Sequence, residues 1–208
     1  MNPTPYTDDM TKYLVEDSII DFNNETILKL SDTLVEKAGS DLEYIKAAFE
    51  FVRDNISHSA DAGENLITCA ASEVLNMGHG ICFAKSHLLA ALLRCKGIHA
   101  GFCYQKLILN DETAPVLIYH GFNGVYIKKL EKWIRLDARG NKVGVNAQFS
   151  IETEQLAFTI RPELGEMDDY VVYPNPDAKV LERLQKYSTR AQLWEDLPTE
   201  LEYHIKIY

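Results

Sequence analysis

The sequence predicts an α+β domain, and three observations carry that expectation. Apolar residues recur at helical spacing through the first half of the chain. A leucine-rich helix starting at Cys82 stops at Gly97. After that glycine the pattern changes to three runs rich in β-branched and aromatic residues. Helices first and an antiparallel set of strands second is an α+β layout, in contrast to alternating strand–helix units.

Taken in order, residues 1–20 read as extended and partly apolar (Tyr13, Leu14, Val15), suited to an edge strand. Residues 24–38 place Ile27, Leu28, Leu34 and Val35 on one helical stripe that Gly39 ends. Ser40 and Asp41 cap a second helix, roughly 42–54, with Leu42, Ile45, Ala48, Phe49 and Val52 inward. Residues 55–67 read as loop and 69–77 as a short helix, and Gly78 and Gly80 bracket a tight turn. The helix from 82 to about 96 buries Leu88, Leu89, Leu92 and Leu93, with Gly97 as its C-cap. Strands follow over 98–109, 116–127 and 132–137, with turns at 110–115 and 128–131. Residues 138–175 are mixed and interrupted by proline, and a late helix runs from 177 to about 187.

A length of 208 residues suits a single domain that needs neither disulfides nor metal to bury a core. Lys and Arg total 21 against 31 Asp and Glu, a net charge of −10, which argues against nucleic acid as a partner. The N-terminus lacks a basic start and an apolar stretch of signal-peptide length, and no run approaches a membrane span, so a cytoplasmic protein without membrane association is expected. Four cysteines without CxxC spacing fit a reducing compartment. There is no HExxH, no paired CxxC and no phosphate-binding glycine loop, so neither metal nor cofactor is expected.

Among the cysteines, Cys82 stands apart. It follows Gly78-His79-Gly80-Ile81 and opens a helix, whose first-turn N–H groups and positive dipole end favour a thiolate. The glycines before it would admit backbone or substrate. Cys69 in the short helix, Cys95 at the helix end and Cys103 in a strand read as structural. His120 is a polar imidazole in a strand, and Gly121 and Gly124 suggest open space before it. Asp137 ends the last strand. A hairpin centred between Lys128 and Lys129 sets His120 directly opposite Asp137, where a carboxylate can orient an imidazole. His58, His79 and His87 compete with His120, and of these His58 is the best supporting candidate. An oxyanion would need two donors: the Cys82 backbone N–H and a side chain from the preceding segment, for which His58 and Asn55 are the candidates.

Three blocks in this order resemble the transglutaminase-like superfamily of thiol enzymes. The first is Gly80-Ile81-Cys82 running into Ser86-His87-Leu88-Leu89-Ala90-Ala91-Leu92-Leu93-Arg94-Cys95-Lys96-Gly97-Ile98-His99-Ala100; the second is His120 in its strand; the third is Trp133-Ile134-Arg135-Leu136-Asp137. Together they cover about residues 45–140. The resemblance implies a papain-like core of about 40–145 with N- and C-terminal extensions within one domain over 1–208. In that core Cys82, on its helix, packs against an antiparallel sheet bearing His120 and Asp137. It implies acyl-enzyme chemistry, hydrolytic or acyl-transferring, on a peptide, protein or small amide. A non-catalytic peptide- or protein-binding module on the same fold is the alternative, and a purely structural role for the three residues is a third. The chain departs from the family pattern at Ala84, where an acidic residue is common, and at His120-Gly121-Phe122, where His-Ala-Trp is common. Those departures leave the substrate open. Calcium-dependent cross-linking is not implied, for the chain has no acidic calcium loop.

Overall fold

The structure, a computed structural model, describes residues 2–110 and 114–203. The strand β1 (Thr4–Pro5) and a 3₁₀ turn at Met10–Leu14 lead into helices α1 (Glu25–Glu36) and α2 (Asp41–Asn55). The strand β2 (Ser57–His58), the one-turn α3 (Ser59–Ala62), α4 (Ala71–Met77) and β3 (His79–Gly80) precede the central helix α5 (Cys82–Arg94). The strands β4 (Ala100–Asn110), β5 (Ala114–Ile127) and β6 (Lys132–Leu136) follow, then β7 (Met167–Asp168), β8 (Val171–Val172), α6 (Ala178–Lys186) and α7 (Arg190–Trp194). The main sheet is antiparallel in the order β6-β5-β4-β7. The expected turn at 110–115 lies partly outside the described residues.

The mixed helix-then-sheet layout is the one expected, and Ser40 caps α2 by accepting from the Glu43 N–H at 3.3 Å. Several local expectations are corrected. The first 20 residues supply no edge strand to the main sheet: β1 is two residues long and pairs with β8, and Tyr13 in the 3₁₀ turn is buried with its hydroxyl donating to the Val172 carbonyl at 2.9 Å. Segment 55–67 is not all loop, because β2 pairs in parallel with β3 and brings His58 beside Gly80. Gly78 is a left-handed helix cap, and the residues after it are strand where a tight turn was expected. Cys69 lies before α4, not within it.

Helix α5 departs most from its sequence pattern. The leucines mark one apolar face, yet every residue from Phe83 to Arg94 is buried, because α1, α2 and α4 pack on one side and β4 and β5 on the other. Its polar residues are satisfied by backbone carbonyls: Ser86 by Phe83 at 2.6 Å, His87 by Cys69 at 2.8 Å, and Arg94 by Ala100, Val15 and Pro174. Asn123 of β5 donates to the Ser86 carbonyl at 3.0 Å and ties sheet to helix. Among the described residues no helix is long and apolar enough to cross a membrane.

The glycines near His120 do not leave open space. A Cβ on Gly121 would lie 2.4 Å from the Phe83 ring, and one on Gly124 would lie 2.5 Å from the Val172 methyls. Both glycines exist so that a bulky neighbour can sit flat on the strand. Gly121→Ala is therefore expected to destabilise the fold by about 1–3 kcal/mol through overpacking of a buried ring. A urea titration reads this as a lowered midpoint with an unchanged slope; an unchanged midpoint would show that Phe83 has room to move.

Candidate active site

Cys82 is the first residue of α5. Its N-cap, Ile81, is extended and supplies no side-chain cap to the first-turn N–H groups. Cys82 is half-buried. Burial by itself would push its thiol up, but the charge of His120 and a hydrogen bond to that imidazole outweigh it, and the thiol is held below the ordinary cysteine range. The other three cysteines move the opposite way. Burial pushes Cys69 up to about 12 and also raises Cys95 and Cys103. One cysteine of four has a thiol poised to ionise.

His120, on β5, is buried, and its Nε2 lies 2.7 Å from Asp137 Oδ2. That leaves Nδ1 as the ring nitrogen for the thiol. Burial disfavours an imidazolium, but Asp137 and then Cys82 overcome it and raise the His120 value strongly. Asp137 is buried as well. Burial would raise its carboxyl, yet it is held low by the imidazole and by the Ala157 and Arg139 N–H groups, which donate at 3.0 and 3.1 Å. The predicted partnership is present, but the register behind it is not. Asn123 pairs with Leu136 and Tyr126 with Trp133, which centres the hairpin between Lys129 and Leu130, one residue beyond the expected point. The 3₁₀ turn Lys128–Leu130, closed by Glu131 at φ 48°, lengthens the loop. His120 and Asp137 are thus out of direct register by two residues. A shift of two preserves the face, and the side chains meet diagonally.

The two oxyanion candidates separate. Asn55 ends α2, is exposed, and lines neither cavity near the site, so its candidacy is withdrawn. The helix α2 runs on to include it, where the sequence pattern ends the helix at about residue 54. His58 lines the same cleft as Cys82 and His120. Its ring is buried and its Nδ1 has no hydrogen-bond partner. Burial, then the charges of Arg139, Lys85 and His120, push it down to about 3 against the opposing pull of Asp61, so it is neutral near pH 7. His79 and His87 are withdrawn as bases, because Ser59 and the Cys69 carbonyl occupy their Nδ1 atoms in the interior.

The cleft has a volume of about 720 Å³. One part is apolar, with Leu107, Ile118, Trp194 and Leu197; another carries Asp61, Arg139 and Lys142. Phe158 lines the cleft beside His120, its ring 5.1 Å from that of the imidazole and edge-on to it. Sequence reasoning missed Phe158, Trp194 and the Ala157 N–H, since nothing in residues after 145 marks them. Arg139 and Lys142 did carry a signal: they follow Asp137 by two and five residues. Among the described residues no group of three metal-ligating side chains comes together.

Residues 28–138, more than half of the chain, match the model of the Transglutaminase-like superfamily. Among solved structures the chain is similar to a putative cysteine protease from Cytophaga hutchinsonii, at 20% identity and a TM-score of 0.52, over 64% of this chain and 43% of that one. It is also similar to the periplasmic domain of TgpA from Pseudomonas aeruginosa, at 16% identity and a TM-score of 0.44, over 64% and 48%. A TGase structure matches at 20% identity and a TM-score of 0.44, over 67% and 37%. The chain thus spans less than half the length of each. At these identities the likeness is one of fold. No curated protein matches.

Proposed function

Because the chain belongs to the transglutaminase-like superfamily, we propose that it is a thiol enzyme, a hydrolase or acyltransferase acting on an amide or peptide carbonyl through Cys82, His120 and Asp137. The observation that carries this is the 2.7 Å bond between His120 and Asp137 beside the only cysteine whose thiol is pulled down. The thiolate adds to the carbonyl carbon. The tetrahedral oxyanion collapses, the C–N bond breaks, and the amine leaves with the proton His120 carries. Water or a second amine, deprotonated by His120, then cleaves the thioester on Cys82. Asp137 keeps the imidazole oriented and charged when it must be. The Cys82 backbone N–H and the neutral ring of His58 are the oxyanion donors in this reading.

Mass spectrometry after incubation with a library of peptides and esters tests it. An acyl mass on Cys82, absent from Cys82→Ala, is expected, and its identity names the acyl donor. Binding of library members without any adduct, together with a Cys82 inert to iodoacetamide near neutral pH, would overturn the reading in favour of a binding module.

A further inference from the structure

We infer that the cleft holds an anion-binding subsite, formed by Arg139 and Lys142, that selects substrates with a carboxylate close to the scissile carbonyl. The inference rests on the reading of Cys82 as nucleophile and adds to it a substrate class.

Two cations share one carboxylate at this end of the cleft. Arg139 donates to Asp61 Oδ2 at 2.6 Å and to Oδ1 at 3.2 Å, and Lys142 reaches Oδ1 at 2.7 Å. Burial by itself would raise Asp61, but its bonds to Arg139 and Lys142 hold it near 2, so it stays ionised and neutralises only one of the pair. A local positive excess results, in a chain whose net charge is −10. The side chains nearby feel it: the charge of Arg139 follows burial in pushing down both His58 and Lys85. Neither neighbouring carboxylate compensates: Asp137 is paired with His120 at 2.7 Å, and both oxygens of Asp54 are taken by Arg53 at 2.7 Å.

The position of the excess matters as much as its sign. Arg139 lies over the Phe158 ring, 5.8 Å from its centroid, and the imidazole of His120 meets that ring at 5.1 Å. A charge held at Arg139 is thus within about three extended residues of the carbonyl that Cys82 would attack, at roughly 3.3–3.6 Å per residue. Arg139 is buried in its pair with Asp61, whereas the Lys142 side chain is 47% exposed and, by turning from Asp61, would meet an incoming anion. The apolar lining from Leu107, Ile118, Trp194 and Leu197 leaves the rest of the ligand to hydrophobic contact. The carboxylate is either an acidic side chain or a peptide C-terminus, which share this chemistry.

Alkylation of Cys82 by iodoacetate and iodoacetamide, which differ by one negative charge, tests the inference in the intact chain. The ratio of the two rates, normalised to glutathione, is compared in wild type, Lys142→Ala and Lys142→Glu. His120 attracts iodoacetate in all three, so the change between variants isolates Lys142. The ratio is expected to fall on the order of tenfold in Lys142→Glu, less in Lys142→Ala, and to converge in molar salt. Protection of Cys82 from iodoacetamide by short peptides then separates the sources: glutamate against glutamine, and free C-terminus against carboxamide, with the charged member of one pair protecting better. A Cys82 that reacts with both reagents at the same ratio in all variants overturns the anion-binding subsite and leaves the nucleophile standing. A Cys82 inert to both reagents overturns the nucleophile, and the subsite with it.

Discussion

Asp137→Asn is expected to lower the rate of Cys82 acylation by on the order of a thousandfold or more, the scale seen when the orienting carboxylate of a catalytic triad is made an amide. The hydrogen-bond inventory explains why the isostere fails. Oδ2 of Asp137 accepts from the His120 ring and from the Ala157 N–H, and Oδ1 accepts from the Arg139 N–H. All three partners are donors. Asparagine has one accepting oxygen and one donating NH₂, so in either orientation an N–H meets an N–H. If the amide turns its oxygen to Ala157 and His120, it opposes the Arg139 N–H; if it turns the other way, it forces His120 into the tautomer that cannot take the thiol proton. The imidazolium also loses its counter-charge, and with it much of what holds the Cys82 thiol low. The rate of iodoacetamide labelling below pH 7 should therefore fall with the acylation rate. An Asp137→Asn protein that labels and acylates like wild type would remove Asp137 from the mechanism.

Lys85→Met is expected to change the pH dependence of stability strongly above pH 7. Lys85 is fully buried one turn after Cys82. Its ammonium donates to the Ile56 carbonyl and, at 3.4 Å, to that of Arg53, which lie at the C-terminal end of α2, where the helix dipole is negative. Burial and then Arg139 push it down to about 7, against the opposing charges of Asp137, Asp54 and Asp61. The unfolded chain holds that proton up to the ordinary lysine value of 10.5. Between those values the unfolded state binds more protons, so a rise in pH stabilises the fold by up to about 1.4 kcal/mol per unit, while below 7 the cost is constant. The variant lacks this contribution. Its stability relative to wild type should be greatest at and below pH 7 and should decline steadily above it, as measured by urea unfolding at a series of pH values. Parallel curves for the two proteins would show that Lys85 titrates at the same pH folded and unfolded.

What the sequence made legible follows from the range of each interaction. The start of α5 under Cys82 and the capping of α2 by Ser40 are local, and both were readable from a few neighbouring residues. The partnership of His120 with Asp137 was readable because strand alternation fixes the face, but its register was not, since a 3₁₀ turn with a left-handed Glu131 is invisible in the strand pattern. Gly121 and Gly124 pointed to the right place for the wrong reason: a missing Cβ says that something approaches, and only the packing says that it is Phe83 and Val172. The burial of Lys85 depends on the carbonyl of Ile56, just past the end of α2 and 29 residues earlier in the chain. The Ala157 N–H and the Phe158 ring were out of reach, because an alanine and a phenylalanine in an irregular segment carry no chemical signal of their own.

The bond from Ala157 to Asp137 has a consequence for the order in which the protein matures. A nascent chain that has emerged from the ribosome only as far as Gly140 already carries the thiol, the imidazole and the carboxylate. It lacks the Ala157 donor that helps keep the carboxylate ionised, and the aromatic wall that Phe158 sets against the imidazole. On the reading proposed for Cys82, the sulfur is therefore fully armed only after the following segment has been synthesised and has folded back, so its reactivity would report completed assembly of this part of the chain.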